Sequence, residues 1–175
     1  MRANKIAAAG MLAALALILG WLDNLVPLSS ALPGLKLGLA NLAVVFALYR
    51  LGVWYAVSVS AAKVLLSSLL FGGLSGLLYS AAGAAVSLAV MVALYRLPAF
   101  SPVGTSAAGG AVHIAAQFGV AALLTATPEL LGLLPPMLAV GTLTGALLGL
   151  AALLVLKRIP DQIPDRSQAK KRRIQ

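Results

Sequence analysis

VLLSSLLFGGLSGLLYSAAGAAVSLAVMVALY, residues Val64–Tyr95, holds no charged side chain. A helix rises 1.5 Å per residue, so about 20 apolar residues cross a hydrocarbon core of roughly 30 Å. This run is too long for one crossing, and Gly72-Gly73 near its start marks a turn between two helices. Its character extends through the chain. Of 175 residues, 61% are hydrophobic and 10% charged, against roughly 25% charged in an ordinary soluble domain. Mean hydropathy is +1.01. That composition excludes a soluble globular protein and a disordered one. Continuous Leu- and Ala-rich runs, without alternation at every second residue, exclude a membrane barrel. The absence of cysteine excludes disulfides, cysteine zinc sites and thiol nucleophiles. The fold class expected is an all-α polytopic membrane protein.

Between Ile6 and Leu156 the charged residues are Asp23, Lys36, Arg50, Lys63, Arg96 and Glu129. Breaks at Gly, Pro and charge divide the chain into six spans, at about 6–22, 35–50, 53–70, 74–95, 105–125 and 137–156. These form one transmembrane domain over 1–158, followed by a basic tail at 159–175. The first connection, 23–34, carries Pro27, Ser29, Ser30, Pro33 and Gly34. Phe71-Gly72-Gly73 makes a tight turn. Pro98, Ser101, Pro102 and Gly104 form a loop, and Thr127, Pro128 and Glu129 lie in the last turn with Pro135-Pro136 at its edge.

Arg2, Lys5, Arg50, Arg96, Lys157 and Arg158 then all fall on one face of the membrane. The positive-inside rule makes that face cytoplasmic, with both termini on it, in a multi-pass protein of the cell membrane. Asp23, Lys36 and Glu129 fall on the opposite face. Residues 1–31 also fit a signal peptide, with a basic start, an apolar stretch and Ser29-Ser30-Ala31 as a cleavage-like site; its removal would leave the sidedness of the other spans unchanged. Lys170-Lys171-Arg172-Arg173 in the tail suits anionic lipid headgroups. Without aromatic neighbours or a folded reader, it does not point to nucleic acid.

Catalysis by this chain alone is not expected. There is no phosphate-binding Gly-x-x-x-x-Gly-Lys-Ser/Thr loop. Asp23 and Glu129, the carboxylates outside the tail, sit on different connections, so no aspartate pair holds magnesium on a diphosphate. His113 is the single histidine, and nothing marks a hydrolase site around it. No metal site or cofactor is expected.

Polar side chains inside spans cost free energy and face a cavity or a neighbouring helix. Lys63 stands well inside its span with no acid three or four residues away. Asn41 lies in the second span. His113 and Gln117 are four apart on one face of the fifth. Lys36 begins the second span. Asn41 and Gln117 also suit plain interhelical hydrogen bonds, His113 a satisfied core position, and Lys36 an interfacial anchor. A cavity lined by Lys63 and these donors, with no acid at mid-span, would suit an anionic or acceptor-rich ligand. Gly141, Gly145 and Gly149 repeat every four residues, and Ala9 and Ala13 make a similar ridge in the first span. Small residues at this spacing let helix backbones approach.

The stretch Ser30-Ala31-Leu32-Pro33-Gly34-Leu35-Lys36-Leu37-Gly38-Leu39-Ala40-Asn41-Leu42 resembles the Pro-Gly-Ile/Leu-Lys-Leu/Ile-Gly-Leu-Ala/Ser-Asn signature of the Gx transporter family. Many of its members are labelled heptaprenyl diphosphate synthase component I. The resemblance covers about residues 5–158. That family is similar to the substrate-binding S components of energy-coupling-factor (ECF) transporters, which are six-helix membrane proteins. The resemblance implies a small-molecule ligand held near the outer face, with Lys36 and Asn41 at the site. It implies docking through the Ala9 and Ala13 ridge onto a transmembrane coupling protein with two cytoplasmic ATPases. The family label implies an alternative, a non-catalytic membrane component of heptaprenyl diphosphate or menaquinone synthesis.

Overall fold

A computed structural model describes residues 2–25 and 38–159. Lys36, the Pro33-Gly34 connection, the Ser29-Ser30-Ala31 site and the tail beyond Ile159 lie outside the described residues. Among the described residues there are six α-helices and no strand: α1 (Arg2–Leu25), α2 (Ala40–Arg50), α3 (Val53–Ser67), α4 (Gly73–Tyr95), α5 (Pro102–Thr125) and α6 (Leu134–Arg158). Five helical stretches are long and apolar enough to cross a membrane: Ala3–Asp23, Val53–Phe71, Gly73–Tyr95, Pro102–Thr125 and Pro128–Arg158. The chain is an all-α polytopic membrane protein.

Helix ends follow local chemistry. Gly38 has φ of +71°, outside helical space, so α2 begins only at Ala40 and not at residue 35. Its 11 residues span about 16 Å, roughly half the hydrocarbon core. Helix α3 continues through a π-helical turn, Ser68–Gly72, and the chain reverses at Gly73, where φ is +59°. α5 starts at Pro102 rather than Thr105, because the Ser101 hydroxyl accepts from the Gly104 N–H and Pro102 has no N–H to leave unsatisfied. The same reason places Pro135 and Pro136 inside the first turn of α6, after a short 3-10 helix at Pro128–Leu133.

Within lipid, apolar surface gives little net drive for helices to associate, so close packing of small residues carries more of the cohesion. The α5–α6 seam is the tightest example. These helices run antiparallel and meet backbone to backbone. A methyl group placed on Gly149 would lie 2.8 Å from the Pro102 carbonyl oxygen, and one on Gly141 would lie 2.8 Å from that of Gly110. One on Gly145 would overlap the Ser106 carbonyl. On the next face of α5, Gly109 receives Met91 of α4, and the Ser87 hydroxyl donates to the Gly109 carbonyl at 2.8 Å.

α2 sits at the centre. Its Val44, Val45, Ala47 and Leu48 are fully buried and join Ala56 and Val59 of α3, Leu88 and Met91 of α4 and Ala152 of α6 in the main core. A helix enclosed on most sides needs no polar face. Ala16 of α1 packs on Ala40 and Ala43. At the end of the bundle carrying Arg50 and Arg96, Tyr49 Oη and Thr105 Oγ1 share a 2.8 Å hydrogen bond, and Tyr49 meets Tyr95 edge to face at 4.9 Å.

Gly145→Ala forces the seam apart. Overpacking of this kind costs about 1–3 kcal/mol, so the thermal midpoint in detergent should fall by roughly 5 °C. Gly119 has open space where a methyl would stand, so Gly119→Ala should leave the midpoint unchanged or slightly raised. Equal effects of the two substitutions would contradict the backbone contact.

Candidate functional site

A cavity of about 540 Å³ extends from the end of the bundle opposite Arg50 and Arg96 inward to Met91, Ser106 and Leu148. Every helix contributes to it, as do Leu130 and Leu133 of the 3-10 turn. Four of the polar residues singled out in the sequence line this one space: Asn41, Lys63, His113 and Gln117. Lys36, the fifth, falls outside the described residues.

Gly38 ends the non-helical approach to α2, and the Asn41 N–H donates to the Gly38 carbonyl at 2.8 Å. That turn sets Asn41 in the first turn of α2, with its amide beside Gly38. Lys63 of α3 reaches it, its Nζ donating to Asn41 Oδ1 at 2.6 Å. A lysine at mid-bilayer costs about 2.5–3.5 kcal/mol on insertion scales, and a charge-assisted hydrogen bond offsets part of that. Across the cavity, His113 and Gln117 lie on Gly83 of α4. A methyl group at Gly83 would sit 2.9 Å from the imidazole ring and from Gln117 Cγ. The His113 ring makes a polar contact with the Gly83 backbone and is within electrostatic reach of Lys63.

Asp23 corrects the sequence reading. It was assigned to the connection after the first span, which left the cavity without an acid. In the structure α1 runs on to Leu25, and Asp23, 7% exposed, lines the cavity. Ala16, Gly20 and Asp23 stand at helical spacing on one face, which is the sequence signal that could have found it. Sequence reasoning also passed over the hydroxyls. Ser67 and Ser68 at the π turn, Tyr79, Ser80 and Ser87 on α4, Ser106 on α5 and Thr144 on α6 all line the space. Ser80, Gly83 and Ser87 follow helical spacing and mark the inner face of α4. The remaining wall is apolar, with Phe71, Met91, Ile114, Phe118 and Leu148.

The lining therefore offers a carboxylate, an ammonium, an imidazole, two amides and several hydroxyls beside aromatic and aliphatic surface. Cavities of about 300–1,000 Å³ with a few convergent polar groups are the usual form of small-molecule sites. Among the described residues no three His, Asp or Glu side chains converge as metal ligands would. Ala9 and Ala13 are half-buried on α1, and Ala9 packs on the main core; Gly10 and Ala14, the residue after each, are exposed.

These features define a polytopic helical membrane protein with a cavity, lined by all six helices, on which several polar groups converge. The chain belongs to the heptaprenyl diphosphate synthase component I family, whose sequence model matches residues 12–155. That span takes in nearly all of the helices and every described residue of the cavity. The family's name describes one component of a larger assembly. No curated protein and no solved structure matches the chain.

Gly83→Ala should turn the imidazole and the Gln117 side chain into the cavity. Because His113 is the only histidine, histidine-selective labelling gives one ring signal. That signal is expected to shift in Gly83→Ala; an unmoved signal would show that the ring does not rest on Gly83.

Proposed function

We propose that this protein is the ligand-binding membrane subunit of an ECF-type importer, and that the cavity holds its cargo. The observation that carries this reading is the cavity itself. In a bundle built almost wholly from apolar residues, Asn41, Lys63, His113 and Gln117 arrive from three helices at one space. Ionisable groups in membrane helices are costly and usually mark a substrate path. The likeness of the Pro33–Asn41 segment to the Gx transporter signature supports the same class.

The chain's part is to bind rather than to catalyse. Lys63 supplies a positive charge, and Asn41 orients it. His113 and Gln117 supply donors or acceptors from the opposite wall. Asp23 adds a negative charge, so the cargo is a small amphipathic molecule with an anionic or acceptor group for Lys63, and not necessarily a purely anionic one. Its apolar part meets Phe71, Ile114 and Phe118. By the positive-inside rule the arginine-bearing end faces the cytoplasm, so the end of the cavity at Asp23, Gly38 and Leu130 lies toward the outer side. A transmembrane coupling protein docks on α1 beside the half-buried Ala9 and Ala13, where Gly10 and Ala14 are exposed, and its ATPases supply the energy.

The family name favours a second reading, a non-catalytic membrane component of heptaprenyl diphosphate or menaquinone synthesis. A soluble synthase would then co-purify with this chain, and its deletion would abolish the long-chain prenyl product. Normal product in the deletion strain removes this reading.

The test is mass spectrometry of small molecules retained by the detergent-purified protein, beside Lys63→Ala. The wild-type protein should retain one compound. Loss of the charge-assisted contact should weaken its affinity at least about tenfold, or about 1.4 kcal/mol, with the thermal midpoint unchanged. Folded wild-type protein that retains nothing and binds nothing saturably would overturn the importer reading.

A further inference from the structure

A second concavity lies outside the cavity, at the opposite end of the bundle. The beginning of α3 and the end of α4 diverge there and leave a groove of about 780 Å³. Its walls are apolar, with Val53, Trp54 and Val57 on α3 and Leu88, Ala89 and Val92 on α4. Arg96 stands at its outer end, exposed, beside Tyr95. Trp54 is 83% exposed along its rim.

Length and charge together say what fits. Along α4 the groove runs from Ala85 to Arg96, which at 1.5 Å per residue is about 16 Å. That is the depth of one leaflet's hydrocarbon, half of the roughly 30 Å core. At this end the structure gathers Arg50, Arg96, Lys157 and Arg158, while the carboxylates among the described residues, Asp23 and Glu129, lie at the other end. The groove thus ends at the exposed guanidinium of Arg96. Trp and Tyr rings beside it occupy the usual headgroup depth, and basic pockets between membrane helices suit anionic lipid heads.

We propose that this groove is a binding site for one anionic phospholipid, with an acyl chain between α3 and α4 and the phosphate on Arg96. The site is separate from the cavity and does not depend on the cargo. A lipid seated there fills the gap that the two helices leave and ties their ends together.

The experiment is native mass spectrometry of the intact protein, released from detergent after exchange with phosphatidylglycerol or phosphatidylcholine. One tightly held phosphatidylglycerol per chain is expected, with phosphatidylcholine lost at lower activation. Arg96→Gln should abolish the preference between the two lipids. Ala89→Trp, which fills the groove from a lipid-facing position, should abolish retention of both. Circular dichroism and the thermal midpoint in detergent show that each variant folds. Equal retention of the two lipids by the wild-type protein, or unchanged phosphatidylglycerol retention in both folded variants, overturns the proposal. Neither outcome bears on cargo binding, which is read at Lys63.

Discussion

Contact between the backbones of α5 and α6 is the constraint from which the rest of the bundle follows. Gly141, Gly145 and Gly149 lie against the backbone of Gly110, Ser106 and Pro102, with the Ile114 side chain also against Gly141. Lipid tails solvate leucine as well as another helix does, so helices gain most where their backbones can approach. Once that seam is closed, the rotation of α5 about its axis is fixed. Gly109 stands one position from the seam residue Gly110, His113 and Gln117 follow it one and two turns on, and all three are turned onto α4. Met91 and Ser87 meet Gly109, and Gly83 takes the imidazole and the Gln117 Cγ methylene. The polar wall of the cavity is therefore a consequence of glycine packing on the neighbouring face of the same helix.

The opposite wall depends on where α2 begins. Gly38 occupies left-handed space that other residues adopt only with strain. Helix α2 therefore starts two residues later, with Asn41 in its first turn and not buried along its length. Lys63 then has an acceptor within 2.6 Å at a depth where an isolated ammonium would be unfavourable. Below Asn41, Leu42 to Leu48 of the same helix are all apolar and are enclosed by its neighbours. The polar and the apolar halves of the molecule are thus divided along one short helix, and the Tyr49–Thr105 hydrogen bond stands near the far end of it.

Much of this was legible in the sequence, and the failures have physical causes. Uncharged runs and their Gly and Pro breaks locate the helices, because a bilayer leaves a chain few other choices. Asn41, Lys63, His113 and Gln117 stand out because each is costly in hydrocarbon, and the structure brings all four to one cavity. Asp23 was lost because a charge beside a proline-rich connection reads as a loop residue, although its spacing from Ala16 and Gly20 follows the inner face of α1. Pro102, Pro135 and Pro136 were read as breakers, whereas in a first helical turn the missing N–H costs nothing. The serines gave no signal, since a hydroxyl in a membrane helix can bond its own backbone. Rotation of uniformly apolar helices is equally invisible to periodicity, so the mutual approach of His113 and Gly83 could not be read without coordinates.

The packing also limits how a molecule could enter the cavity. The α5–α6 seam cannot slide without driving carbonyl oxygens into Cα atoms, so those two helices move as a unit or not at all. The junction of α3 and α4 has no such lock. A side chain added at Gly73 or Gly76 would meet nothing within 4 Å. The α3 chain there is wound as a π turn, a form that recurs at functional sites. Ser67, Ser68 and Phe71 of this segment line the cavity, while Leu69 and Leu70 face outward. This corner stands between the cavity and the outer surface, apart from both the glycine seam and the Asn41 turn.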